Sequence, residues 1–148
     1  MNEHRAKRGF IAAAGGLLAG AFLASSAHAA KPAPKPNRLV LQVSDNDPGK
    51  WGLALNNAQN VIQDLGADTV ALEIVVYGPG IGMLKKDSPM AARVAAALKG
   101  GIQVVACENT LRAQQLTHAD MLPDIGYVPA GVVELMKKQQ QGYAYIRP

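Results

Sequence analysis

Cys107 is the only cysteine in this 148-residue chain, and it stands where an apolar run meets residues that open a helix. A thiol does nucleophilic or exchange chemistry as its thiolate, so its neighbours decide whether it reacts. Ile102, Val104, Val105 and Ala106 form a nearly unbroken strand-length run rich in β-branched residues. Without polar alternation, such a strand needs both faces covered, as in a parallel sheet between helices. Asn109 and Thr110 are N-cap candidates, and Leu111 to Gln115 tolerate helix. The sulfur is therefore expected at the carboxyl end of a strand, where open α/β sheets collect ligands. A helix start beside it would favour the thiolate. Three readings of the sulfur stand together: a small buried hydrophobe, an intermolecular disulfide partner, and a reactive thiol.

Other residues offer chemistry less directly. Gly78-Pro79-Gly80-Ile81-Gly82 follows an apolar run and precedes Lys85 and Lys86. Such a loop lets backbone amides approach an anion, but its spacing is neither the phosphate-loop nor the dinucleotide pattern, and no helix is expected within it. It is read as shaping the cysteine's pocket. Asp45 and Asp47 lack a third ligand at metal spacing, so turn and cap duty explains them and no metal is implied. His118 lies eleven positions after Cys107, in a Thr117-His118-Ala119-Asp120 capping box, and is read as solvent-facing.

The elements that must position these groups alternate. Arg38 to Ser44 reads as a strand, followed by Asp47-Pro48 as cap and first turn of a helix with Trp51, Leu55, Ala58, Ile62 and Leu65 on one stripe. Val70 to Tyr77 is a second buried strand, and Ser88-Pro89 starts a helix that Gly100-Gly101 ends. After the cysteine's strand and helix come a weak strand Ile125 to Val128, a helix from Pro129 and Ala130 to Gln141, and a last strand at Tyr143 to Ile146. Lys137 and Lys138 are read as opposing that helix's dipole. The alternation predicts an α/β fold, three-layer α/β/α, with a mainly parallel five-stranded sheet.

Ahead of this domain, Arg5, Lys7 and Arg8 precede an apolar stretch from Gly9 to Ala24 and an Ala-x-Ala site at Ala27-His28-Ala29. That order is an export signal over 1–29, cleaved after Ala29, by a Sec or twin-arginine route. A retained anchor is the alternative, since the run approaches the ~20 residues that span a bilayer. Residues 30–37 form a Pro-rich tether, and 38–148 the domain. Losing three basic residues and Glu3 takes the formal charge from +4 to +2. The remaining basic residues are scattered with few aromatics, which excludes a nucleic-acid surface, and no membrane association is expected after cleavage. A periplasmic location follows, where one cysteine forms no internal disulfide.

Ala106-Cys107-Glu108-Asn109-Thr110-Leu111, Val76-Tyr77-Gly78-Pro79-Gly80, Val128-Pro129-Ala130-Gly131-Val132 and Gly142-Tyr143-Ala144-Tyr145-Ile146 together resemble the DsrE/DsrF-like sulfur-relay family. The resemblance implies the three-layer fold above, assembly as homo-trimers or hexamers (or hetero-hexamers), and no cofactor. In sulfur-carrying members a cysteine after a central strand accepts a persulfide sulfur and passes it on, a sulfurtransferase-like role whose matching position is Cys107. Gly78, Gly80 and Asn109 are then the expected ligand-binding residues, with a small sulfur donor or thiol as partner. Because there is no second cysteine, the sulfur must leave to a partner or small thiol. The competing reading is a non-catalytic, homo-oligomeric small-ligand-binding module whose cysteine only packs.

Overall fold

Asp47 starts the first helix as its type and neighbour require. Its carboxylate accepts from the amides of Gly49 at 2.8 Å and Lys50 at 3.3 Å, while Pro48 fills the first turn. The computed structural model describes residues 34–148. The leader, its cleavage site and the first residues of the tether lie outside the described residues. Five strands and four α-helices alternate: β1 (Asn37–Val43), α1 (Pro48–Leu65), β2 (Val70–Val76), α2 (Ala91–Lys99), β3 (Gln103–Cys107), α3 (Glu108–Ala113), β4 (Gly126–Val128), α4 (Gly131–Gln140) and β5 (Ala144–Ile146). Two 3-10 helices, Gly78–Leu84 and His118–Asp120, complete the described elements. Among the described residues no helix is long and apolar enough to cross a membrane.

The sheet is wholly parallel, in the order β4-β3-β2-β1-β5. That order decides which helix covers which face. The steps from β1 to β2, β2 to β3 and β3 to β4 all move in one direction, so right-handed crossovers put α1, α2 and α3 on one face. The chain then returns past all of them to place β5 beside β1, which puts α4 on the other face. The core divides accordingly. Leu41, Ile74, Val76, Val104 and Ala106 join Trp51, Ala58, Val94 and Leu111 in the larger cluster, whereas Val40, Val75 and Val105 meet Leu135 of α4 in the smaller one. The central strands β1, β2 and β3 thus bury both faces, whereas β4 is half-buried and β5 exposed, and the expected three-layer α/β/α architecture is what the chain adopts.

Several boundaries differ from the sequence reading. The glycine-rich stretch expected as loop is a 3-10 helix, because Gly80 sinks onto the end of β1: a Cβ there would lie 2.7 Å from the Val43 carbonyl oxygen. The second helix begins at Ala91, not at Ser88-Pro89. Ser88 instead makes a turn, its hydroxyl accepting from the Met90 amide. α3 ends after six residues, where Gln115 takes a positive φ of 56°.

Candidate thiol site

Cys107 is the last residue of β3 and itself the N-cap of α3. Asn109 and Thr110, expected as caps, are the second and third residues of the helix. Their side chains are therefore released for other partners. The Asn109 side-chain oxygen accepts from Arg112, and the Asn109 backbone N–H donates to the Pro129 carbonyl oxygen at 3.2 Å, tying α3 to the strand-to-helix turn before α4. The Thr110 hydroxyl accepts from the Gly78 amide at 2.9 Å and also faces the Cys107 sulfur.

The sulfur is buried, with the residue only 4% exposed, but its surroundings are not all hydrocarbon. The Gly131 amide, first of α4, donates to Sγ over 3.2 Å. Burial, the largest influence, pushes the thiol up. The Thr110 hydroxyl and the amides of Gly131, Thr110 and Asn109 together outweigh it and hold the thiol below its ordinary range. The helix whose positive end serves the sulfur is thus α4 as well as the short α3. Sequence reading named Asn109 for this duty and missed Gly131. The available signal was a glycine at a helix start, where a side chain would ordinarily be tolerated. Here a Cβ would lie 2.9 Å from Tyr77 Cδ1 and 3.0 Å from Tyr77 Cβ, so only glycine lets α4 come this close.

The other expected residues separate. Gly78 joins the site through Thr110. Its φ of 54° turns the chain after β2, and its carbonyl oxygen accepts from the Gln114 side chain at 3.2 Å. The Gly80 amide is shared between the carbonyl oxygens of Ser44 and Tyr77, so it offers no free donor. Tyr77, half-buried against Gly131, links the sulfur's surroundings to a cavity of about 240 Å³ lined by Gln42, Tyr77, Val132, Leu135, Met136 and Tyr145. Burial raises its phenol, and the Cys107 sulfur adds to that.

Asp45 pairs with Lys50 at 3.1 Å and Arg147 at 3.2 Å, and Trp51 lies in the core with Nε1 donating to the Asp45 carbonyl oxygen. These are structural roles. His118 is exposed as expected, yet it is not idle: Nε2 lies 2.7 Å from Glu108 Oε1 and the ring stacks on Tyr127. Among the described residues no group of three His, Cys, Asp or Glu is placed to hold a metal ion.

The model of the DsrE/DsrF-like family matches residues 37–148. A protein of unknown function from Methanobacterium thermoautotrophicum, MTH1491, is 33% identical, with 76% of this chain and 99% of that one covered and a TM-score of 0.72. A conserved protein of unknown function from Bacteroides thetaiotaomicron, BT1422, is 12% identical over 76% of this chain and 95% of that one, with a TM-score of 0.62. The ychN protein from E. coli is 11% identical over 76% of this chain and 99% of that one, with a TM-score of 0.61. The last two are similar in fold alone. No curated protein matches the chain.

Proposed function

The chain belongs to the DsrE/DsrF-like family, a sulfur-relay type of family, and from that membership we propose that it is an exported sulfur carrier working through Cys107. The observation that carries this reading is the donor set around one buried sulfur, with the Gly131 amide at 3.2 Å and Thr110 and Asn109 adding theirs. In the carrier step the Cys107 thiolate attacks the outer sulfur of a small donor such as thiosulfate or a persulfide. The donor's sulfur–sulfur bond breaks, its electron pair leaves on sulfite or thiolate, and Cys107 is left as a persulfide. An acceptor thiolate then takes the terminal sulfur and returns Cys107 to thiolate, so no net oxidant is needed. Incubation with thiosulfate or polysulfide followed by intact-mass measurement tests this. One added sulfur on wild type and none on Cys107→Ser is expected. No addition, or equal addition to both, overturns it.

The export signal over 1–29 supports a periplasmic site of action, to be checked by fractionation and sequencing of the mature N-terminus. Val132 and Met136 on α4, with Tyr145 on β5, line the Tyr77 cavity and are exposed. That surface supports a homo-oligomer, trimer or hexamer, in which a neighbouring copy covers the approach to the sulfur. The burial of Cys107 supports a second reading, a non-catalytic small-ligand module with a structural thiol. Thiol labelling of native against denatured protein separates them: comparable rates favour the carrier, and labelling only after denaturation favours the module.

A further inference from the structure

Two carboxylates share one ammonium under α4. Glu73 is the only charged residue of β2 and is 4% exposed. It stands opposite the uncharged Val40 on β1 and Gln103 on β3, on the sheet face that α4 covers. Lys138 Nζ meets Glu73 Oε2 at 2.7 Å, and the same nitrogen lies 3.7 Å from Glu134 Oε1, one turn back on α4. The lysine side chain is 13% and the Glu134 side chain 19% exposed, so water and salt screen these charges poorly. Glu73 Oε1 is buried with no donor among the described residues. The set therefore holds one negative charge in excess, and its innermost carboxylate is only half satisfied. Tyr143, just before β5, is the other titratable group on the ammonium, with its ring centroid 5.0 Å away.

Such an arrangement offers one cation two seats. The seat on Glu73 ties α4 to β2, whereas the seat on Glu134 ties α4 only to itself. With Glu73 ionised, the nearer and drier carboxylate holds the ammonium. Once Glu73 takes a proton from solvent, only Glu134 attracts it as an ion. Burial pushes the Glu73 carboxyl up, Lys138 offsets part of that, and the negative Glu134 raises it further, so the proton is taken at milder acidity than an exposed glutamate needs.

We propose that Glu73, Lys138 and Glu134 form a proton-operated latch: the ammonium fastens α4 to β2 while Glu73 is ionised, and moves to Glu134 when Glu73 is protonated. The charge change is on the strand and the two-state element is the lysine. Gly131 lies seven residues back on the same helix, roughly 10 Å at helical rise, and its amide holds the Cys107 sulfur at 3.2 Å. A Cβ there would already crowd Tyr77 at 2.9 Å, so the start of α4 has little slack to absorb a shift at its other end. The latch thus sets how firmly that donor is held, whatever chemistry the sulfur performs.

A pH titration of isotopically labelled protein by NMR tests the latch. It follows the Glu73 carboxyl carbon and the backbone amides of Gly131 and Lys138 between about pH 4 and about pH 8, a span that covers a glutamate raised above its ordinary value. All three signals are expected to pass through a common midpoint. In Glu134→Gln a repelling charge is gone, so the carboxyl midpoint should fall and both amide steps should fall with it. In Glu73→Gln both amide steps should vanish. Should that variant fail to fold, Glu134→Gln carries the test alone, because it leaves the buried pair intact. A carboxyl that does not titrate in this span, or amides that stay still while it does, overturns the latch. So does a midpoint unchanged in Glu134→Gln, or a Gly131 step that stays in place while the carboxyl midpoint moves, which would belong to the Cys107 thiol beside it.

Discussion

The Gly131 amide and the Cys107 sulfur lie 3.2 Å apart across 24 residues of sequence, joining the start of α4 to the end of β3. The contact depends on the missing side chain, because a Cβ at 131 would press on the Tyr77 ring at 2.9 Å. Gly131→Ala is therefore expected to move the start of α4 off the sulfur and to destabilise the fold by about 1–3 kcal/mol. Thiolate absorbance against pH should show the Cys107 titration displaced upward, and denaturant unfolding should show the loss. An unchanged titration would mean that the amide does not support the charge.

Thr110 bridges the same sulfur to the turn after β2. Its hydroxyl accepts from the Gly78 amide at 2.9 Å and faces Sγ. Thr110→Val keeps the shape and removes both interactions, leaving a half-buried amide without its acceptor. A loss of about 1–3 kcal/mol is expected, together with slower alkylation of Cys107 at neutral pH. Slower alkylation without destabilisation would separate the sulfur contact from the Gly78 contact.

The Glu73–Lys138 pair lets α4 and β2 be tested at a point away from the thiol. Burial pushes the Glu73 carboxyl up, and the Lys138 ammonium offsets only part of that. Burial also disfavours the ammonium, but its bond to Glu73 wins and holds it above its ordinary range. The carboxyl is thus the member that titrates. Lys138→Met leaves a carboxylate buried alone, at an expected cost of about 3–5 kcal/mol at neutral pH. Because Glu73 binds its proton more readily folded than unfolded, stability is lost as pH rises through its raised pKa and regained on acidification. Urea unfolding at mildly acidic and neutral pH should show the variant's deficit shrinking at the lower value.

Much of this architecture was readable from the chain, and the exceptions share a cause. Asp47-Pro48, the stripe from Trp51 to Leu65 and the apolar runs of β2 and β3 are local signals, and each element they predict is present. Cys107 was legible as a candidate site for the same reason, standing where such a run ends. Gly131 was not, because its partner is brought to it by the return of the chain across the sheet. Lys138 was read as answering its own helix dipole, when it answers Glu73 on β2. A lone charge inside Val70–Val76 was the available warning, since a strand buried on both faces leaves a carboxylate in need of a partner.

The exposed apolar surface of α4 yields a test of assembly. Val132 is 63% and Met136 52% exposed, so lysine at both positions should cost the isolated fold little. If a second copy covers this surface, Val132→Lys with Met136→Lys should shift the mass by light scattering from oligomer to monomer. A wild-type monomer, or an unchanged oligomer in the double variant, would place the interface elsewhere or remove it.

Proton linkage supplies the most discriminating measurement on the thiol. Burial opposes ionisation of Cys107, but the surrounding donors outweigh it, so the folded pKa lies below the ordinary value of 9.0. Between those two values the unfolded chain still holds a proton that the native protein has released, and native stability rises with pH across that interval. The contribution is fully present above the unfolded pKa and disappears as pH falls through the folded one. Cys107→Ser has no such titration. The stability of wild type relative to that variant should therefore grow as pH rises from below the lowered pKa to the ordinary value of 9.0. A difference that stays flat would mean that folding does not shift the thiol. One that falls as pH rises would mean that the native sulfur stays neutral, a form that does not attack a sulfur donor.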